Sequence, residues 1–193
     1  MISAKIGHAL DPLILKTYHL FFGNRVVNPN LVTVLGAATA AASSAVIAFD
    51  FLILGGIILL VSGFFDLSDG AIARSAGKVS PFGGFLDSVL DRYSDLLIML
   101  GVAIHLVRHG DILYSLIAFV AAMGTAIIPY AKARAEGAAL SCKTGLLERP
   151  ERMLIVLIGL FFNLLPYAVI LLAVFTHVTV IQRILYVRRQ AKQ

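Results

Sequence analysis

Four carboxylates fall into two closely spaced pairs, Asp66 and Asp69 at i, i+3 and Asp87 and Asp91 at i, i+4. On a helix, each pair shares one face. A short break from Gly77 to Pro81 separates the pairs, so the two helices that carry them are expected to run antiparallel and bring both pairs to the same depth. Four acids converging there repel strongly unless a cation intervenes, because each charge at that depth costs a few kcal/mol. No His or Cys interrupts the cluster, and oxygen donors alone favour a hard ion, Mg²⁺, Mn²⁺ or Ca²⁺, over zinc. Mg²⁺ completes its coordination with water and substrate phosphates, which points to a phosphate- or diphosphate-bearing substrate. Gly70, Ala73, Gly83 and Gly84 thin the surrounding helix surface, and Arg74 can donate paired hydrogen bonds to a phosphate or a base carbonyl. Small residues around acids suit a slot for a flat or extended ligand. Asp95 continues the Asp87, Asp91 stripe one turn deeper, as a support for the cluster or a hydrogen-bonding partner within the bundle.

The elements that must position these acids are apolar. Of 193 residues, 59% are hydrophobic and 14% charged, where a soluble domain carries roughly a quarter charged residues. That balance excludes a disordered chain, and the lone Cys142 excludes a disulfide scaffold. Leu31 to Phe49 is a charge-free run rich in Ala, Gly and Ser, which places it inside a bundle where backbones approach closely. Phe51 to Phe65 continues into FFDLSDGAIAR, and the next helix starts at Gly83 with its acids in the first half. Ile112 to Ala131 makes a fourth span. Met153 to Gln182 has no Asp, Glu, Lys or Arg, and as one helix would reach about 45 Å, so a turn near Asn163 and Pro166 divides it into two. Ile6, Leu10, Leu13, Ile14 and Tyr18 recur at helical spacing among polar residues, as in an interfacial helix. The expected fold is all-α and membrane-integral: six transmembrane helices plus an N-terminal amphipathic juxtamembrane helix, in one domain over 1–193 with the juxtamembrane helix and linker at about 1–28.

Charge placement sets the orientation. In a six-span arrangement, fourteen of the sixteen Lys and Arg residues fall on one side, Arg108 stands on the other, and Arg92 lies within a span. This asymmetry puts both termini and the acidic end in the cytoplasm. The net charge of +5 is then accounted for by orientation and anionic substrates, without nucleic acid. His8, His19, His105, His109 and His177 are scattered over spans and ends and are read as interfacial or packing residues.

Written from Asp66 to Asp91, the chain reads D-x2-D-G-x2-A-R-x8-G-x3-D-x3-D, with eight fixed residues over 26 positions. This resembles the signature of the CDP-alcohol phosphotransferases, with no position missing. The resemblance implies a six-span, homodimeric membrane enzyme that transfers a phosphatidyl or similar group from CDP-diacylglycerol or a related CDP-lipid to an alcohol, releasing CMP. It implies that Asp66, Asp69, Asp87 and Asp91 hold Mg²⁺, two ions, with Mn²⁺ as an alternative, and that Asp91 is the general base. It further implies a cytidine slot formed by Asn30, Thr33, Asp66, Asp69, Gly70, Ala73, Arg74 and Gly83. The stretches KARAE and ERPER resemble the phosphatidylinositol-phosphate synthases within that family, which implies inositol 1-phosphate as acceptor, its phosphate held by Lys132, Arg134 and Arg152, with Arg183 or Arg188 as a secondary candidate. Where a small hydroxyl residue is expected three positions before the lysine, the chain has Pro129, which removes a hydrogen bond to the acceptor.

Three alternatives follow from the same residues. Glycerol 3-phosphate is the next acceptor, since it too needs fixed cations. A divalent-cation transporter would use the acids as a midplane site, but they lie near helix ends beside Arg74 and the glycines. A scaffold with a structural metal would turn over no CDP-alcohol. The expected setting is a prokaryotic plasma membrane, with membrane lipids and a second copy of the chain as neighbours.

Overall fold

The computed structural model describes residues 11, 12, 14–18 and 28–191, and every regular element among these is helical. Six complete helices follow one another: α1 (Pro29–Ala48), α2 (Leu52–Ser75), α3 (Pro81–Arg108), α4 (Ile112–Glu136), α5 (Arg149–Phe161) and α6 (Leu165–Gln190). Local chemistry sets their starts. Asn28 caps α1 by accepting a hydrogen bond from the Asn30 amide at 3.1 Å, and Ser80 caps α3 by accepting from the Gly83 amide at 3.0 Å. Both helices have proline in the first turn, where a missing N–H costs nothing. Gly77 turns the chain out of α2 at φ 63°, and Asn163 turns the chain between α5 and α6 at φ 54°. The break at Gly77 to Pro81 and the division of the long apolar run at Asn163 are therefore as the sequence predicts.

Two boundaries differ from expectation. Helix α4 continues past Ala131 to Glu136, so KARAE forms its final turns instead of a loop. Helix α5 has 13 residues, about 20 Å of rise, short of a hydrocarbon core of roughly 30 Å. Four helices, α1, α2, α4 and α6, are long and apolar enough to cross a membrane. Large apolar side chains face outward, among them Ile53, Phe51 and Phe119, as in a protein whose solvent is lipid.

The small residues of α1 bring three helices together at close range. The Ser43 hydroxyl donates to the Gly55 carbonyl at 2.8 Å, the Ser62 hydroxyl to the Gly36 carbonyl at 2.9 Å, and the Ser44 hydroxyl to the Leu97 carbonyl. A Cβ on Gly36 would lie 3.3 Å from that of Phe65, and one on Gly101 would collide with Ser44. Thus α1 clamps α2 and α3, the two acid-bearing helices. Ile47, Leu59, Met99, Val102, Leu106, Leu160 and Leu172 fill the core below them.

Residues 11, 12 and 14–18 are helical, with Ile14 and Tyr18 buried. Tyr18 packs with Val32 and Ile72, which docks this segment on α1 and α2. The rest of the expected juxtamembrane helix and linker, including Lys5, Ile6, His8, Leu10, Leu13, His19 and Arg25, lies outside the described residues, as does Lys192.

Candidate functional site

Asp66 and Asp69 occupy the last turns of α2, and Asp87, Asp91 and Asp95 the first turns of α3. Antiparallel pairing brings them together. One oxygen each of Asp66, Asp87 and Asp91 lies within 4.8 Å of the others. Asp69 stands apart from this trio. It is buried, and its Oδ2 has no hydrogen-bond partner.

The acids have a protein cation among them. Arg149, at the start of α5, reaches into the cluster: its Nη1 pairs with Asp66 and lies 2.9 Å from Asp91 Oδ1. Its Nε approaches Asp95 Oδ1 at 3.5 Å, outside hydrogen-bonding geometry. Arg152, one turn on, donates to Asp95 Oδ2 at 2.7 Å and ties α5 to α3. Five carboxylates thus gather around two paired guanidiniums, and Asp69 and Asp87 have no ion pair with either. That surplus, the all-oxygen donor set and the unpartnered Asp69 Oδ2 together fit a divalent cation.

Two clefts meet at this acidic wall. The first, about 690 Å³, lies between the start of α1 and the α2–α3 connection, and Asn30, Thr33, Asp69, Gly70, Ala73, Arg74 and Gly83 line it together with Lys78, Ser80, Gly84 and Asp87. Of the residues expected around a cytidine slot, Asp66 alone is set behind it, beside Asp91 and Arg149. Arg74 does not hang free at the mouth: its Nε and Nη2 donate to the two Asp11 oxygens at 2.9 and 2.7 Å, so the juxtamembrane helix holds it. Glycine keeps this cleft open where a Cβ on Gly70 would sit 3.0 Å from Arg74 Nη1.

The second cleft, about 940 Å³, is cationic. Arg92, Lys132, Arg149, Arg152 and Arg183 line it, with Asp91 and Asp95 at its inner wall and Pro129 on α4. Of the residues expected around an acceptor phosphate, Lys132 and Arg152 line this cleft, as does Arg183, the secondary candidate. Arg183 is buried, donating to the Thr144 carbonyl at 3.0 Å and to the Ile128 carbonyl. Arg134 is not part of the cleft: it lies two positions past Lys132 on α4, is turned to a different face, and is exposed. Arg149 was missed. Its signal was Pro150, which starts a helix at Arg149 and so puts Arg149 and Arg152 one turn apart on a common face.

A third group lies at the opposite ends of α1 and α3. His105 Nδ1 and His109 Nε2 lie 2.7 and 3.1 Å from the same Asp50 oxygen. These two histidines form a constellation, which the sequence reading of them as separate packing residues did not foresee.

Residues 26–182 match the family pattern described as CDP-alcohol phosphatidyltransferase. The chain is 38% identical over 159 residues to the archaetidylinositol phosphate synthase of Pyrococcus horikoshii, covering 82% of each chain. Its fold superposes on the crystal structure of Mycobacterium tuberculosis phosphatidylinositol phosphate synthase with CDP-DAG bound, at a TM-score of 0.79 and 30% identity, covering 92% of each chain. The same mycobacterial enzyme in complex with manganese and citrate gives a TM-score of 0.80 at 30% identity, covering 91% of this chain and 87% of that one. With its signature acids gathered at the wall between two clefts, the chain belongs to the CDP-alcohol phosphatidyltransferase family, a family of membrane-integral transferases of phospholipid synthesis.

Proposed function

We propose that the protein transfers a phosphatidyl group, or the equivalent group of a related CDP-lipid, from CDP-diacylglycerol to inositol 1-phosphate and releases CMP. The observation that carries this reading is the shared wall: the acids separate a small-residue cleft from a cationic one. An in-line displacement at phosphorus needs the attacking and leaving oxygens on opposite sides, and two clefts meeting at one wall supply those two approaches.

Each residue then has a task. Asn30, Thr33, Gly70, Ala73, Arg74 and Gly83 receive the cytidine end of the donor in the first cleft, with Asp66 and Asp69 at its inner edge. Lys132, Arg149, Arg152 and Arg183 hold the acceptor's phosphate in the second, where fixed guanidiniums match phosphate oxygens. Asp91 faces that cleft and takes the proton of the attacking hydroxyl. The new phosphorus–oxygen bond forms as the bond to the departing CMP oxygen breaks, and the proton later leaves Asp91 for water. Asp66, Asp69, Asp87 and Asp91 would hold two Mg²⁺ ions, or Mn²⁺, which when bound offset the charge of the diphosphate and of the departing CMP. Relatives named for inositol phosphate lipids support this acceptor over glycerol 3-phosphate.

The same reading takes residues 1–193 as one domain with six membrane-crossing helices, α3 and the short α5 included, working as a homodimer. Both termini and the acidic end face the cytoplasm of a prokaryotic plasma membrane, on the side where Lys and Arg concentrate. Purified protein given CDP-diacylglycerol, inositol 1-phosphate and Mg²⁺ is expected to release CMP. That release should stop on chelation and in Asp91→Asn. Turnover that persists without divalent metal contradicts the proposal.

A further inference from the structure

The turn between α1 and α2 carries one acid, Asp50, in the left-handed region at φ 73°, a conformation that costs a non-glycine residue energy and is held by its surroundings. The carboxylate projects to the far end of α3. There His105 and His109, at i, i+4, share one helix face, with ring centroids 4.6 Å apart. Their Nδ1 and Nε2 converge on the same atom, Asp50 Oδ1, at 2.7 and 3.1 Å. One donor atom from each residue lies within 4.8 Å of the other two.

We propose that Asp50, His105 and His109 form a binding site for a divalent transition metal of the zinc class, distinct from the carboxylate cluster at the other end of the bundle. Two imidazole nitrogens and one carboxylate oxygen are a donor set that zinc takes readily and Mg²⁺ does not. Around a tetrahedral zinc the donor atoms stand about 3.4 Å apart. The Asp50 oxygen therefore needs to retreat by less than about 1 Å to admit the ion between it and the rings.

The surroundings suit such a site. Arg108 Nη2 leans on the other carboxylate oxygen, Oδ2, at 3.6 Å, while its Nη1 donates to the Ala48 carbonyl at 2.7 Å and its guanidinium lies 5.6 Å from the centre of the Phe49 ring. It orients the carboxylate as outer partners of metal ligands do and leaves Oδ1 to the metal. Arg108 is half exposed, so water screens its charge from an ion at Oδ1. His105 is largely buried and His109 is about half exposed, which leaves the fourth position open to water. A bound ion would tie the α1–α2 turn to the end of α3 and brace α1 against the two helices that carry the acids. The inference does not rest on the proposed transferase activity.

The test uses the full chain in detergent, with millimolar Mg²⁺ present to occupy the carboxylate cluster. Zn²⁺ is titrated calorimetrically, and Co²⁺ binding is followed by its visible absorption. One Zn²⁺ per chain is expected, with a rise in melting temperature and a tetrahedral Co²⁺ spectrum. His109→Ala, at an exposed position, should weaken Zn²⁺ binding by at least about tenfold. Asp50→Asn should do the same while keeping the side-chain shape, and Asp87→Asn should leave Zn²⁺ binding unchanged. The proposal is overturned if the wild type binds no Zn²⁺ under these conditions, if His109→Ala binds it as tightly as the wild type, or if Asp87→Asn is the variant that loses it.

Discussion

The two ends of the α1–α2–α3 unit solve opposite electrostatic problems. At the α2–α3 connection, five carboxylates outnumber two guanidiniums, and the surplus lies open to two clefts. At the α1–α2 turn, one carboxylate is outnumbered by His105, His109 and Arg108, all of which close directly on it. Oxygen donors in excess call for a hard cation and leave it coordination positions for phosphate, which is a catalytic arrangement. Nitrogen donors closing on a single acid form a clasp whose open side faces water. The same three helices thus carry a reactive end and a bracing end, and substitutions should separate the two.

The largest effect is expected at the reactive end. Asp91→Asn should lower CMP release by about 10²–10⁴-fold, the range for removal of a general base, while the melting temperature stays close to that of the wild type. His109→Ala should keep most of the activity at saturating Mg²⁺. If both variants lose activity equally, the two ends are not functionally separate.

Within the cationic cleft, neighbouring positions on α4 make a sharper contrast. Lys132 lines the cleft and Arg134 does not. Lys132→Ala should raise the KM for inositol 1-phosphate by about tenfold, the cost of one charged hydrogen bond, with the KM for the CDP-lipid little changed. Arg134→Ala should change neither. Steady-state kinetics with each substrate varied in turn decides this.

In the first cleft, Gly70→Ala places a methyl 3.0 Å from Arg74 Nη1 and must push the guanidinium aside. The KM for the CDP-lipid should rise by roughly tenfold, since a pocket distinguishes one added methyl by about that factor. The KM for the acceptor should hold.

The smallest effect belongs to the bracing end. The folded-state pKa of Asp50 is depressed, mainly by the His105 hydrogen bond. Its stabilising contribution is therefore present above the unfolded carboxylate value of about 3.9 and is lost as the pH falls through the lower folded value. Asp50→Asn should melt below the wild type at neutral pH, and the gap should close as the pH falls below about 4. Melting curves over pH 3–7 check this; a gap that widens in acid contradicts the assignment.

The reactive end was largely legible in the sequence because its signals are local. The spacings of Asp66, Asp69, Asp87 and Asp91 fix a helix face, and Gly77 to Pro81 fixes the hairpin that pairs the two faces. Six of the residues expected around the cytidine slot share a cleft with Asp69 for the same reason. The contribution of Arg149 was not legible, because a residue on α5 reaches acids more than fifty positions earlier in the chain only after packing. The placement of Arg134 was misread because KARAE looks like a loop in composition, whereas Gly137, not Ala131, ends the helix, and a helix turns residues two apart to different faces. The clasp escaped notice because Asp50 and His105 are 55 positions apart, and nothing in either local sequence announces the other.

The proposed transfer needs the acids to join a CDP-lipid cleft to a cleft that prefers inositol 1-phosphate over glycerol 3-phosphate. The most direct measurement is a competition: CDP-diacylglycerol, Mg²⁺ and equal concentrations of inositol 1-phosphate and glycerol 3-phosphate, with the lipid products separated by mass. Phosphatidylinositol phosphate is expected to dominate, with CMP formed in equal amount. Phosphatidylglycerophosphate as the main product, or CMP formed without either lipid, would contradict it.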